Sequence, residues 1–126
     1  MQQNRYHNMD VDASDQDTPA WLVGQVVFLA SFVLYLLTTS PTLNLGDSGE
    51  FIASAFCLGN PHNSGYPLYV LAGKIFCMIP FGNVAFRMNC MSAFWGALAV
   101  WLTYKMVLRL AGSIISASSA ALTLAF

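Results

Sequence analysis

Apolar positions in this chain come in long unbroken runs, and the polar residues are collected before and between them. Thr18 to Gly46 holds 29 consecutive uncharged residues, almost wholly apolar from Trp21 to Leu37. Residues 20–40 would form a helix about 30 Å long, enough to cross a hydrocarbon core, with Trp21 and Tyr35 suited to its interfaces. A cleaved signal peptide is the competing reading of this run. The acidic, polar stretch before it argues against that, because a signal peptide begins with a basic region. A second run gives a span over about 84–104, with 17 uncharged residues between Arg87 and Lys105. A third begins near Ala111 and continues through residues 111–126. Its end lacks a cap, a Gly or Pro stop and a basic last turn, which reads as a truncated span in a fragment of a longer protein.

Between the first two runs the pattern shortens. Gly46-Asp47-Ser48-Gly49-Glu50 precedes an apolar octet that stops at Gly59 and Pro61. This predicts a short helix over 48–58, with Asp47 or Ser48 as N-cap and Gly59 as the left-handed residue after its end. A turn-rich loop, Asn60 to Pro67, leads to a second short helix over 67–79, opened by Pro67 and closed by Pro80. It is too short to cross a bilayer, and Lys74 in its middle favours an interfacial or re-entrant position.

Charge sharpens this picture. Eleven residues of 126 are charged, and five of them (Arg5, Asp10, Asp12, Asp15, Asp17) lie in the first seventeen. Residues 1–18 read as a disordered acidic tail on the cytoplasmic side. The remainder carries six charges, far below the roughly 25% of a soluble domain, so lipid is the solvent expected for residues 19–126. The net charge of −1 offers no basic face for nucleic acid. Cys57, Cys77 and Cys90 have neither zinc-site nor disulfide-framework spacing. Lys105 and Arg109 orient the spans: cytoplasmic placement of these cations puts the loop of residues 41–83 on the luminal side.

Two acids then stand out on that side. Asp47-x-x-Glu50 has the spacing of a capping box and would favour the positive end of a helix dipole, a purely structural account. The same spacing puts both carboxylates on one helical face, where they could serve a pocket at the membrane surface. His62, Lys74 and Arg87 each have an ordinary explanation, as a solvated loop residue, a snorkelling side chain and an anchor. Together they could also hold a phosphate-bearing headgroup, for which arginine is well suited. Acids near a membrane also mark ion and proton paths. Small residues such as Gly24, Gly96 and Ala97 would suit a non-catalytic anchor or assembly module.

In combination, GDSGEF at Gly46 to Phe51, LGNPHNSGYPLY at Leu58 to Tyr69 and PFGNVAFRMNCMSAF at Pro80 to Phe94 resemble the amino-terminal part of the transmembrane protein 260 family of protein O-mannosyltransferases. The resemblance covers roughly Thr39 to Gly112. It implies an all-α membrane protein, part of a polytopic GT-C type helical bundle with short juxtamembrane helices in its first luminal loop. It also implies a multi-pass enzyme of the endoplasmic reticulum membrane, or of the plasma membrane in a bacterium. Mannose would pass from dolichyl-phosphate or another polyprenyl-phosphate donor to Ser and Thr hydroxyls of secretory-pathway proteins. No further cofactor is called for, and metal use is left open. By the resemblance, Asp47 is the catalytic base and Glu50 its partner in the acidic motif. His62, Arg87 and Tyr66 fall at positions suited to the lipid-phosphate donor. Asn63 and Ser64 replace two prolines usual in the family, which predicts a looser loop around His62. Isolated from the other helices, the fragment is expected to be inactive.

Overall fold

A computed structural model describes residues 3–42, 46–62 and 65–126, with side chains described from Ala20 onward among the helical residues. Five helices follow one another: α1 (Gln3–Thr38), α2 (Ser48–Cys57), α3 (Pro67–Met78), α4 (Val84–Ala111) and α5 (Ile114–Ala125). No strand occurs among the described residues. Ala20–Thr38 within α1 and the whole of α4 are long and apolar enough to cross a membrane, which makes this an all-α membrane protein. The side chains of the expected acidic tail lie outside those described.

The short helices follow the punctuation of the sequence. Pro67 stands in the first turn of α3, where its missing N–H costs no hydrogen bond. The end of α2 departs from expectation by one residue. Leu58, not Gly59, adopts the left-handed conformation (φ 57°). The Gly59 amide then closes on the Ser54 carbonyl at 2.8 Å, the long backbone bond of a Schellman ending. A non-glycine residue pays about 1–2 kcal/mol for that geometry, so the turn is held by its surroundings. Asn63 and Ser64 lie outside the described residues, and with them the loosening expected of that loop.

Helix α4 runs seven residues beyond the expected end at 104. Lys105 and Arg109 therefore lie on its last turns and not in a connecting loop, and long basic stems can follow a helix surface without ending it. Gly112 (φ 62°) breaks the helix, and the Ser113 side chain accepts a bond from the Ser116 amide to start α5.

Two compact units are built from these helices: residues 32–96, and the segments 1–31 and 97–126 together. In the first, Ala55, Cys77, Met88 and Met91 form a buried cluster flanked by Ile52, Tyr69 and Phe76. Helices α2 and α3 meet closely there because Gly73 has no side chain. A Cβ at that position would lie 2.8 Å from the Ala55 Cβ and 2.7 Å from the Met88 Cε. In the second unit, Val27, Val100, Tyr104, Ala117 and Ala121 are buried together. Gly24 admits the Tyr104 ring, which a Cβ would approach to 2.9 Å. The Tyr104 hydroxyl donates to the Ala20 carbonyl at 2.8 Å. Of the three cysteines, Cys77 and Cys90 are buried and Cys57, at the end of α2, is exposed.

Candidate functional site

The head of α2 carries the two acids, and they behave differently. Asp47 is the N-cap residue by position, yet its side chain makes no capping bond. Its carboxylate is exposed. Glu50, one turn later, does not reach back toward Asp47. It turns to the following loop, where Oε1 accepts the backbone N–H of His62 at 2.7 Å and Oε2 lies 2.9 Å from His62 Nδ1. Neither half of a capping box is formed, although Glu50 does lie in the first turn, at the positive end of the helix dipole. The spacing instead leaves one carboxylate open and commits the other.

That commitment has electrostatic consequences. The backbone amide of His62, followed by its ring, holds the Glu50 carboxyl below the ordinary glutamate range. The Glu50 hydrogen bond raises the affinity of His62 for its proton, with a small further push from the charge of Asp47. A bond that favours the charged form shifts each group in this sense. With Nδ1 engaged by Glu50, the Nε2 edge of His62 is the one left to meet a ligand.

Aromatic rings surround the pair. Phe51, adjacent to Glu50, makes edge contacts with His62 (5.8 Å between centroids), Tyr66 (5.3 Å) and Tyr69 (5.4 Å). Tyr66 also meets His62 edge-on at 6.2 Å. Its backbone is left-handed (φ 37°), a strained state for an aromatic residue that the surrounding packing must hold. Phe51 is the hub of this cluster, and its place in the sequence gave only one hint of that, its position directly after Glu50. Tyr66 further lines an open apolar cavity of about 580 Å³ with Leu68, Tyr69, Ala72 and Trp95.

The cations of this unit are occupied by the protein itself. Arg87 donates from Nε to the Phe81 carbonyl at 2.5 Å, from Nη1 to that of Cys77 at 2.7 Å and from Nη2 to that of Gly82 at 3.0 Å. It thereby satisfies carbonyls at the end of α3 and in the turn after it. Of five N–H groups three are used, so Arg87 cannot offer its full fork to a phosphate without releasing a carbonyl. Lys74 donates to the Phe56 carbonyl at 2.5 Å and sits 5.3 Å from the Phe56 ring centre. Two asparagines fix the segment after α1: Asn83 donates to the Pro41 carbonyl and Asn89 to that of Ser40, both at 2.9 Å. Neither asparagine stands out in the sequence beyond its place in the PFGNVAFRMNCMSAF block, yet the Asn83 Oδ1 also caps α4 by accepting the Phe86 amide. The motif Gly82-Asn83 before an apolar run was the available signal. Among the described residues no three His, Cys, Asp or Glu side chains gather as metal ligands would.

The structure thus brings together Glu50, His62 and Tyr66, places Asp47 a helical turn from Glu50, and sets Arg87 to a framework role. Spanning helices with short helices between them in sequence, and an acid–histidine pair joining the first short helix to the loop after it, define a helical membrane protein with a polar site outside its apolar spans. The family model described as Protein O-mannosyl-transferase TMEM260 N-terminal domain matches residues 47–125, and the chain belongs to that family. The protein from Mus musculus named Protein O-mannosyl-transferase TMEM260 is 42% identical over 88 residues, which cover 69% of this chain and 12% of that protein. The Dictyostelium discoideum protein of the same name is 34% identical over 85 residues, 65% of this chain and 10% of that protein. The chain therefore spans about an eighth of the length of these relatives, or less. No solved structure matches it.

Proposed function

We propose that this chain is the amino-terminal part of a protein O-mannosyltransferase and that Asp47 is its catalytic base. The observation that carries the assignment is the division of labour at the head of α2: Glu50 is bound to His62, while the carboxylate of Asp47 is exposed and makes no capping bond. In the proposed reaction Asp47 takes the proton of a Ser or Thr hydroxyl. The hydroxyl oxygen forms a bond to the anomeric carbon of mannose as the bond from that carbon to the donor phosphate breaks, and the polyprenyl phosphate leaves with the electron pair. A base in this role must come within hydrogen-bonding reach of the acceptor hydroxyl.

Glu50 serves as a positioning residue that keeps His62 protonated, and a charged imidazole can donate from Nε2 to the departing phosphate. Tyr66 would line the donor side through its ring. Arg87 supports the turn after α3, with its remaining N–H groups available to the phosphate. The donor as dolichyl phosphate, the secretory-pathway acceptors and the multi-pass placement in the endoplasmic reticulum membrane, or the plasma membrane in a bacterium, belong to this same reading. So does a luminal position for residues 41–83. An ion path is disfavoured because both acids are exposed on a short helix. The anchor or assembly reading leaves the Glu50–His62 pair without a task. Catalysis belongs to the longer protein, whose further helices would exclude water from the reacting groups.

In the full-length protein, Asp47→Asn should abolish mannosyl transfer with expression and membrane insertion unchanged, measured by sugar incorporation into an acceptor peptide in membranes. Activity within a factor of ten of the parent would overturn the assignment.

A further inference from the structure

Helices α1 and α4 meet at the point where the apolar stretch of one begins and that of the other ends. The bond from the Tyr104 hydroxyl to the Ala20 carbonyl fixes this depth, and Gly24 permits the close approach. An open cavity of about 560 Å³ lies there, lined by Trp21, Gly24, Trp101, Tyr104, Lys105 and Arg109. Its volume is that of a small-molecule site, about 300–1,000 Å³. Trp101, Lys105 and Arg109 follow one another at four-residue intervals and so share one face of α4. The Lys105 ammonium is held 4.7 Å from the centre of the Trp101 ring, and Trp21, largely exposed, stands on the other wall.

Snorkelling and the helix dipole explain why basic residues end such a helix. They do not explain a cavity that gathers two cations and two indoles. Neither cation has a carboxylate partner among the described residues, where the Glu50–His62 contact is the ion pair. Basic pockets between spanning helices at the membrane surface bind anionic headgroups, and indoles sit at the same depth.

We propose that this cavity binds the phosphate-bearing headgroup of an anionic glycerophospholipid. Lys105 supplies a point charge and Arg109 a bidentate donor to the phosphate. Trp21 and Trp101 pack on the glycerol and the first acyl carbons. The site would anchor this end of the two helices in a charged leaflet, whatever the chemistry elsewhere in the protein.

The test uses the chain in nanodiscs with Trp95→Phe as background, so that Trp21 and Trp101 are the reporting indoles. Fluorescence quenching by dibrominated phosphatidylserine is compared with quenching by dibrominated phosphatidylcholine at equal mole fraction. At least about fivefold enrichment of the serine lipid at the indoles is expected, the scale of a single basic residue near a charged surface. Lys105→Gln with Arg109→Gln should bring it to parity, while Lys105→Arg should retain it. Equal quenching by the two lipids, or enrichment that survives the double glutamine change, would sink the proposal. Loss of the enrichment in 10 mM inorganic phosphate at constant ionic strength would assign the cavity to a soluble anion and overturn the lipid. Enrichment that emerges only after Asp10, Asp12, Asp15 and Asp17 are all changed to Asn would make the acidic segment the occupant, and overturn it likewise.

Discussion

The surroundings of Tyr104 and of Arg87 are held together by different forces. Around Tyr104 the helices meet through glycine and alanine: Gly24 admits a ring, Ala117 and Ala121 are fully buried, and the Tyr104 hydroxyl bond to Ala20 is the polar contact of the core. Small residues let backbones approach in lipid, where dispersion must do what water exclusion does elsewhere. Around Arg87 three connections lead from α1 to α4, and side chains grip backbone carbonyls beside them: Arg87 on three, Asn89 on two, Lys74 and Asn83 on one each. Short helices have too little apolar surface to fix their own orientation. Side-chain bonds to main-chain oxygens supply it: Lys74 ties the middle of α3 to the last turn of α2, and Arg87 ties α4 to the end of α3.

The sharpest way to break this contrast is to remove the grip. Arg87→Met leaves carbonyls at the end of α3 without their donor and should destabilise residues 32–96 by about 2–4 kcal/mol, since bonds to a charged group contribute about 1.5–3 kcal/mol each and water replaces some of them. Arg87→Lys should recover only part, because an ammonium cannot reproduce the planar fork. Thermal unfolding in detergent, followed by protease protection of α2 and α3, measures both. A loss under 0.5 kcal/mol for Arg87→Met would make the three bonds incidental.

Packing is the second lever. Gly73→Ala pushes a methyl group onto Ala55 and Met88 and should cost about 1–3 kcal/mol by overpacking. Met88 can yield but the Ala55 Cβ cannot, so Gly73→Ala with Met88→Leu should recover little. In the other unit, Tyr104→Phe removes one neutral bond and should cost about 1 kcal/mol in the same assay. If Tyr104→Phe proved costlier than Arg87→Met, the contrast between the two regions would be reversed.

The smallest effect is the most diagnostic of the site. His62 titrates above the ordinary imidazole value of about 6.5 because Glu50 holds its protonated form, so its contribution to folding is present below that value and is lost as pH rises through its raised folded-state pKa. Glu50 titrates low, so its contribution is present above the ordinary carboxyl value and is lost as pH falls through the lowered one. The pair is therefore intact across the interval between, and loosens on the alkaline side as His62 loses its proton and on the acid side as Glu50 gains one. NMR titration of His62 in the parent and in Glu50→Gln checks this. The substitution should return the imidazole toward its ordinary value, and an unchanged titration would remove Glu50 as the cause.

Much of the fold was legible because helix ends are written locally. Pro67 announced α3, and Gly59 with Pro61 announced the end of α2 to within a residue. The site was legible as a set of residues and not as an arrangement. Asp47 and Glu50 three residues apart looked like equals, and the sequence could not say that Glu50 would be claimed by a histidine twelve positions on. The grip of Arg87 on three carbonyls was not legible, because main-chain oxygens occur at every position of any sequence and nothing in the sequence marks which of them a side chain will hold. Phe51 escaped notice because an apolar residue on a short helix has no pattern to distinguish a hub from a filler.

The cysteines have a practical corollary. With Cys77 and Cys90 buried and Cys57 open at the end of α2, the chain carries its own reporter thiol on the helix whose other end bears the acids. A maleimide that does not permeate bilayers, applied to sealed vesicles, reads from that native sulfur which compartment the site faces, with no residue introduced and none of the carbonyl grips disturbed.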